Sequence, residues 1–199
     1  MKKVSLILIT TILLFKTTFA NIYSTDPKIF ITELVNDAIS TLSNKNLNTE
    51  DKAAFIEKIA LENVDINALG LYTLGELRKS SNENSLNEYK QVFEKYFLKS
   101  LTSRLTEYSS NKFEVTGVDK KSSNYTIVKS RIIASENQPE LKIDWRVYTK
   151  NPDKPLIRDL IVEGLSLART QKEEFASILG SNDNNIDILI AKLKEFVNN

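Results

Sequence analysis

The 199-residue chain has no cysteine and no histidine, one tryptophan, five glycines and four prolines. Without cysteine there is no disulfide, no thiolate nucleophile and no cysteine to carry a lipid anchor. Without histidine the usual general base, the Ser-His-Asp triad and histidine metal sites are all missing. The few glycines form neither a phosphate-binding nor a dinucleotide-binding loop. The acidic residues lack calcium-loop spacing, and Asn182–Asn185 reads as a helix N-cap region. Charge is balanced at 27 basic against 26 acidic residues, so nucleic acid finds no basic footprint. Neither a cofactor nor a metal is expected. Any chemistry would have to come from Asp, Glu, Lys, Tyr, Ser and Arg.

What is present begins with an export signal. Lys2 and Lys3 precede an apolar run from Val4 to Phe15, and Thr18-Phe19-Ala20 places small residues around a cleavage point. That layout predicts a secretory signal peptide cut after Ala20. As a membrane span the run is too short against the roughly 20 residues needed, and Lys16 interrupts it. Cleavage would remove Lys2, Lys3 and Lys16 but no acid, leaving 24 basic against 26 acidic residues and a net charge of −2. Residues 21–199 then have the size of one ordinary domain with a core of its own.

The remainder reads as helices, then strands, then helices. Thr25 or Asp26 before Pro27 starts a first helix, with Phe30, Ile31, Leu34, Val35 and Ala38 at helical spacing. Asn48 or Thr49 opens a second, antiparallel to it. Asp65 can cap a short helix interrupted by Gly70 and Gly75. Ser85 with Glu88 fits a capping box leading into a long helix to about Tyr108, lined by Phe93, Tyr96, Phe97 and Leu101. From Asn111 the period changes to two, and four strands follow: Lys112–Asp119, Tyr125–Ser135, Glu140–Thr149 and Leu156–Glu163. Ser166, or Thr170 with Glu173, caps the next helix, which Gly180 stops, and a last helix runs from Asp183. The expected fold is α+β: N-terminal helices and one long helix on a curved four-stranded antiparallel sheet, closed by C-terminal helices.

One stretch carries a family likeness. Asp159-Leu-Ile-Val-Glu163-Gly164-Leu165-Ser166-Leu167, followed by Arg169-Thr-Gln-Lys172-Glu-Glu-Phe175-Ala-Ser-Ile-Leu179, resembles the signature of the MlaC (toluene-tolerance) family. In that family a strand ends in an Asp and a Glu-Gly-x-Ser turn, and the next helix has a basic residue three before an aromatic one, as Lys172 and Phe175 stand here. Asp65 with Leu69-Gly70 is similar to a second family segment. The chain departs where many members have an aromatic pair before the Asp, and where many have Tyr in place of Gln171. The resemblance implies a periplasmic, non-enzymatic phospholipid carrier of an ABC-type lipid transport system, which maintains outer-membrane lipid asymmetry. It also implies two partners: an inner-membrane complex of MCE-domain ring, permease and ATPase, and an outer-membrane lipoprotein.

The candidate lipid-binding residues are the apolar side chains offered by the sheet and the long helix. They are Phe93, Phe97, Leu101, Val115, Ile127, Ile143, Trp145, Val147, Leu160 and Val162. Apolar periodicity reports burial first, so for each of them a closed core stands beside the lipid cleft that the resemblance implies. Arg131, Arg146, Arg158 and Arg169 have the guanidinium geometry for a phosphate headgroup, or are surface charges. Asp159 and Glu163, four apart on one strand, form either an acid/base pair of a small cone-fold isomerase or hydrolase, or a solvated face or surface ion pair with Arg158 or Lys142; the resemblance implies a structural turn instead. A periplasmic chaperone for apolar segments is the remaining alternative.

Overall fold

Side-chain caps set where the helices begin. The computed structural model describes residues 23–105, 112–134 and 139–199. The expected signal peptide, the long helix's expected end at Tyr108 and the second strand's expected end at Ser135 lie outside the described residues. Asp26 caps α1 (Pro27–Ser43), its carboxylate accepting from the backbone N–H groups of Lys28 and Ile29. Asn48 caps α2 (Thr49–Asn63) and Asp65 caps α3 (Ile66–Thr73). A short helix, α4 (Leu77–Ser80), precedes the long α5 (Glu83–Leu105).

The expected helix starts at Ser85 and Asp183 are displaced, and of the two caps offered for the helix between the sheet and the last helix one is used, each for a visible reason. Asn82 rather than Ser85 accepts at the start of α5, taking the Ser85 N–H at 2.9 Å, while Glu88 pairs with Lys194. Ser166 caps α6 (Leu167–Gly180), so Thr170 lies inside the helix and Glu173 is held by Arg169. Asp183 and Asn184 have φ of 53° and 54°, in the left-handed region, so α7 (Ile186–Asn198) begins only after Asn185.

The sheet is an antiparallel meander of β1 (Phe113–Lys120), β2 (Tyr125–Ile132), β3 (Leu141–Tyr148), β4 (Leu156–Val162) and β5 (Leu165–Ser166), in that order. It has five strands where the alternation pattern suggests four. Glu163 (φ 48°) and Gly164 (φ 84°) make a two-residue turn with both residues left-handed, which folds β5 back on β4. Glu163 is therefore a turn residue and not the last residue of the strand.

Alternation assigns the two faces of the sheet. Val128, Trp145, Val147, Ile157 and Leu160 pack on Phe30, Ile31 and Leu34 of α1. Two bulges interrupt the ladders, one between Val115 and Gly117 and one on β4 opposite Arg146 and Val147, where Arg158 is the extra residue. Such an insertion bends a strand and re-aims a side chain. The second core lies among α3, α5, α6 and α7, where Tyr89, Phe93, Phe175, Leu189 and Leu193 meet. A third joins Leu42, Ile56 and Ile59, with Leu101 and Leu105 against them. Among the described residues no helix is long and apolar enough to cross a membrane.

Gly70 shows how tightly the helical core is built. A Cβ there would lie 2.8 Å from the Phe93 ring, and the Gly70 carbonyl accepts hydrogen bonds from both Thr73 and Tyr89. Burial pushes the Tyr89 phenol pKa well above its ordinary value, so it remains a hydrogen-bond donor. Gly70→Ala would gain up to about 1 kcal/mol in helix propensity. Overpacking would cost about 1–3 kcal/mol. Phe93 is wedged among other rings, so packing wins, and a lower urea midpoint is expected for this variant.

Candidate functional site

The second face of the sheet is polar, and α3 stands over part of it. Between them is a cleft of about 850 Å³. Its apolar lining comes from Ala68, Leu69 and Tyr72 of α3, Ile127 of β2, Ile161 of β4 and Ala168 of α6. Its charged lining is Lys121, Lys129, Arg146 and Arg158 against Asp119 and Asp144. An apolar wall beside a set of cations is an arrangement for an amphipathic anion-bearing ligand.

The bulge on β4 holds α3 in place. Val64 bridges to Ile157, and the Asp65 N–H donates to the Ile157 carbonyl at 2.9 Å. Arg158 reaches back to the same point: its Nε and Nη2 donate to Asp65 Oδ2 at 2.9 and 2.6 Å, and its Nη1 donates to the Tyr125 hydroxyl at 2.9 Å. Its guanidinium also stacks on Tyr148, 3.4 Å from the ring centre. Burial opposes the Arg158 charge, but the hydrogen bonds to Tyr125 and Asp65 more than offset it and its pKa is raised. Arg158 is thus committed to holding the wall.

Arg146 is placed differently. Its Nη1 lies 3.3 Å from Asp159, and two-fifths of its side chain is exposed, at 42%. Asp159 is only 4% exposed and accepts from Ser166 Oγ at 2.6 Å and from the Ala168 N–H at 3.0 Å. Two strong donors already satisfy that carboxylate, and Arg146 is also one of the residues that line the cleft. At the rim Lys121 pairs with Asp119, and this hydrogen bond holds the Asp119 carboxyl below the usual range. No group of His, Cys, Asp and Glu able to hold a metal occurs among the described residues.

Of the apolar candidates, Ile127 lines this cleft. Val115, Trp145, Val147 and Leu160 belong to the opposite face, packed with the α1 core. Ile143 and Val162 pair with each other across β3 and β4 and are half-buried. Phe93 and Phe97 lie in the helical core, and Leu101 packs beneath α1 and α2. Of the arginines, Arg146 and Arg158 line the cleft, whereas Arg131 is held by Glu114 and Glu140, and Arg169 by Glu173. Tyr72, Ile161, Lys129 and Asp144 carry no distinguishing sequence signal one by one, and Leu69 is marked only by the likeness of its segment to the family's. The usable signal is collective, in the polar positions of adjacent strands that share one face. Asp159 and Glu163 do not form a pair: Glu163 sits in the turn, its carboxylate accepting from the Lys142 N–H at 2.6 Å.

Three comparisons bear on this geometry. The family model described as MlaC protein matches residues 32–195. Comparison with curated proteins gives no match. Among solved structures, the chain is similar to a phospholipid-binding protein from Ralstonia solanacearum in complex with a phospholipid. The identity is 17%, the TM-score is 0.71, and the alignment covers 89% of this chain and 97% of that one.

Proposed function

The chain belongs to the MlaC protein family, and from that membership we propose that it is a phospholipid-binding carrier rather than an enzyme. The observation that carries this reading is the cleft of about 850 Å³ with an apolar wall on α3 and cations on the sheet. That volume lies toward the upper end of the roughly 300–1,000 Å³ typical of small-ligand sites. Acyl chains would lie against Leu69, Tyr72, Ile127 and Ile161, with the phosphate at Lys129 and Arg146. Hiding two long chains from water is worth on the order of 20 kcal/mol at about 0.8 kcal/mol per CH₂. The likeness to a structure with bound phospholipid supports the same ligand class.

The working cycle is the further part of the proposal. After removal of residues 1–20 the protein would act in the periplasm. It would collect lipid from an outer-membrane lipoprotein or deliver it there, and exchange it with an inner-membrane complex of MCE-domain ring, permease and ATPase. The sequence has no ATP-binding loop, so the energy for directional transfer would come from that complex.

Native mass spectrometry of the exported protein, with lipid extraction from the same sample, tests the reading. A one-to-one adduct that extracts as phospholipid is the expected result. A bare mass that persists after incubation with phospholipid vesicles overturns it.

A further inference from the structure

The cleft contains one charged group that phosphate binding leaves unused. Asp144 lines it from β3, directly opposite Lys129 on β2 and Ile161 on β4. The other carboxylates nearby are occupied: Asp65 by Arg158, Asp119 by Lys121, and Asp159 by Ser166, Ala168 and Arg146. The half-buried Asp144 carboxylate takes no hydrogen bond and no ion pair from the described residues. A carboxylate partly removed from water without a donor carries a desolvation cost that a ligand cation would relieve.

We propose that the cleft selects a zwitterionic aminophospholipid, whose headgroup joins a phosphodiester to a primary ammonium. The phosphate sits on Arg146 and Lys129, and the ammonium on Asp144. This rests on the reading of the cleft as a phospholipid site. Asp144 and Arg146 share one face of β3, two residues and therefore about 7 Å apart at roughly 3.4 Å per residue. An ethanolamine headgroup separates its two charges by two carbons, so neighbouring side chains of this reach can meet both at once.

Charge balance points the same way. With Asp65 matched to Arg158 and Asp119 to Lys121, the charges left in and behind the cleft are Arg146 and Lys129 against Asp159 and Asp144. They sum to zero, which suits a ligand of zero net charge. A glycerol headgroup places the same phosphate but brings no ammonium, so the Asp144 carboxylate gains no cation and the net charge in the cleft is left uncompensated. A choline headgroup has the cation but no N–H to donate to the carboxylate.

The test is a competition. Lipid-free protein is equilibrated with vesicles containing equal amounts of phosphatidylethanolamine, phosphatidylglycerol and phosphatidylcholine with the same acyl chains, and the bound lipid is extracted and quantified. The wild type should take ethanolamine over glycerol lipid by about fivefold, the scale of one partly exposed ion pair. Asp144→Asn should bring that ratio to near one, and Glu94→Gln, on the exposed side of α5, should leave it unchanged. Should Asp144→Asn fail to fold, Asp144→Ser takes its place. A wild-type ratio near one, or a ratio that survives loss of the carboxylate, overturns the headgroup assignment while leaving lipid carriage intact. Uptake of none of the three lipids by the wild type overturns the phospholipid reading itself.

Discussion

Phe93→Ala is expected to lower stability by about 3–5 kcal/mol, the cost of opening a large cavity in a packed interior. The ring is 2% exposed. Around it stand Tyr89, Tyr96, Phe97 and Phe175 at centroid distances of 5.7, 6.2, 6.4 and 6.2 Å, and Gly70 lies so close that a Cβ there would clash with the ring. Those neighbours come from α3, α5 and α6, so none can move into the space without shifting a helix. The site can relax only partly, which puts the loss toward the upper part of the range. Urea unfolding should show a lower midpoint with an unchanged slope. Phe93 is not among the residues that line the cleft, so phospholipid occupancy measured well below the unfolding midpoint should persist. A variant that keeps its stability but loses its lipid would instead place Phe93 in the ligand site.

Phe93 also marks what periodicity could and could not reveal. The helical spacing of Tyr89, Val92, Phe93, Tyr96 and Phe97 correctly gives one buried side of α5, and the period-two runs give the strands to within a residue or two, apart from the end of the second. Burial, however, has two destinations, a closed core or a ligand cleft, and an apolar stripe looks the same for both. The cleft forms on the face of β2–β4 that the alternation presents as polar, where Lys129 and Asp144 read as solvated charges and Arg146 as one of four arginines suited to a phosphate. What makes that face a cleft is α3. It is pinned there by Arg158, an extra residue in a bulge, and a bulge leaves no signature in the hydrophobic pattern. The fifth strand escaped for a related reason. It is two residues long, set by a left-handed Glu163-Gly164 turn, and too short to show alternation.

Asp159 yields the second large effect, as a carboxylate that organises a turn. Removing the side chain with Asp159→Ala strands the Ser166 hydroxyl and the Ala168 N–H, both of which donate to it, at a buried strand-to-helix junction. Ser166 in turn accepts from the Arg169 N–H, so the cap of α6 loses its orientation as well. Hydrogen bonds to a charged group are worth about 1.5–3 kcal/mol each. The two share one acceptor and will not add fully, so a loss of about 3–4 kcal/mol is expected. Asp159→Asn keeps an oxygen for the Ala168 N–H and places an amide against Ser166 Oγ. It gives up mainly the charge, and the Arg146 contact that goes with it is long, at 3.3 Å, with the arginine two-fifths exposed. That variant should lose only about 1–2 kcal/mol, the weakening of one charged bond to a neutral one, and should still carry phospholipid. Calorimetry of both variants, with native mass spectrometry of the asparagine form, decides the matter. A carboxylate that organises a turn is largely rescued by the amide, and an asparagine form that loses as much stability as the alanine form overturns this role.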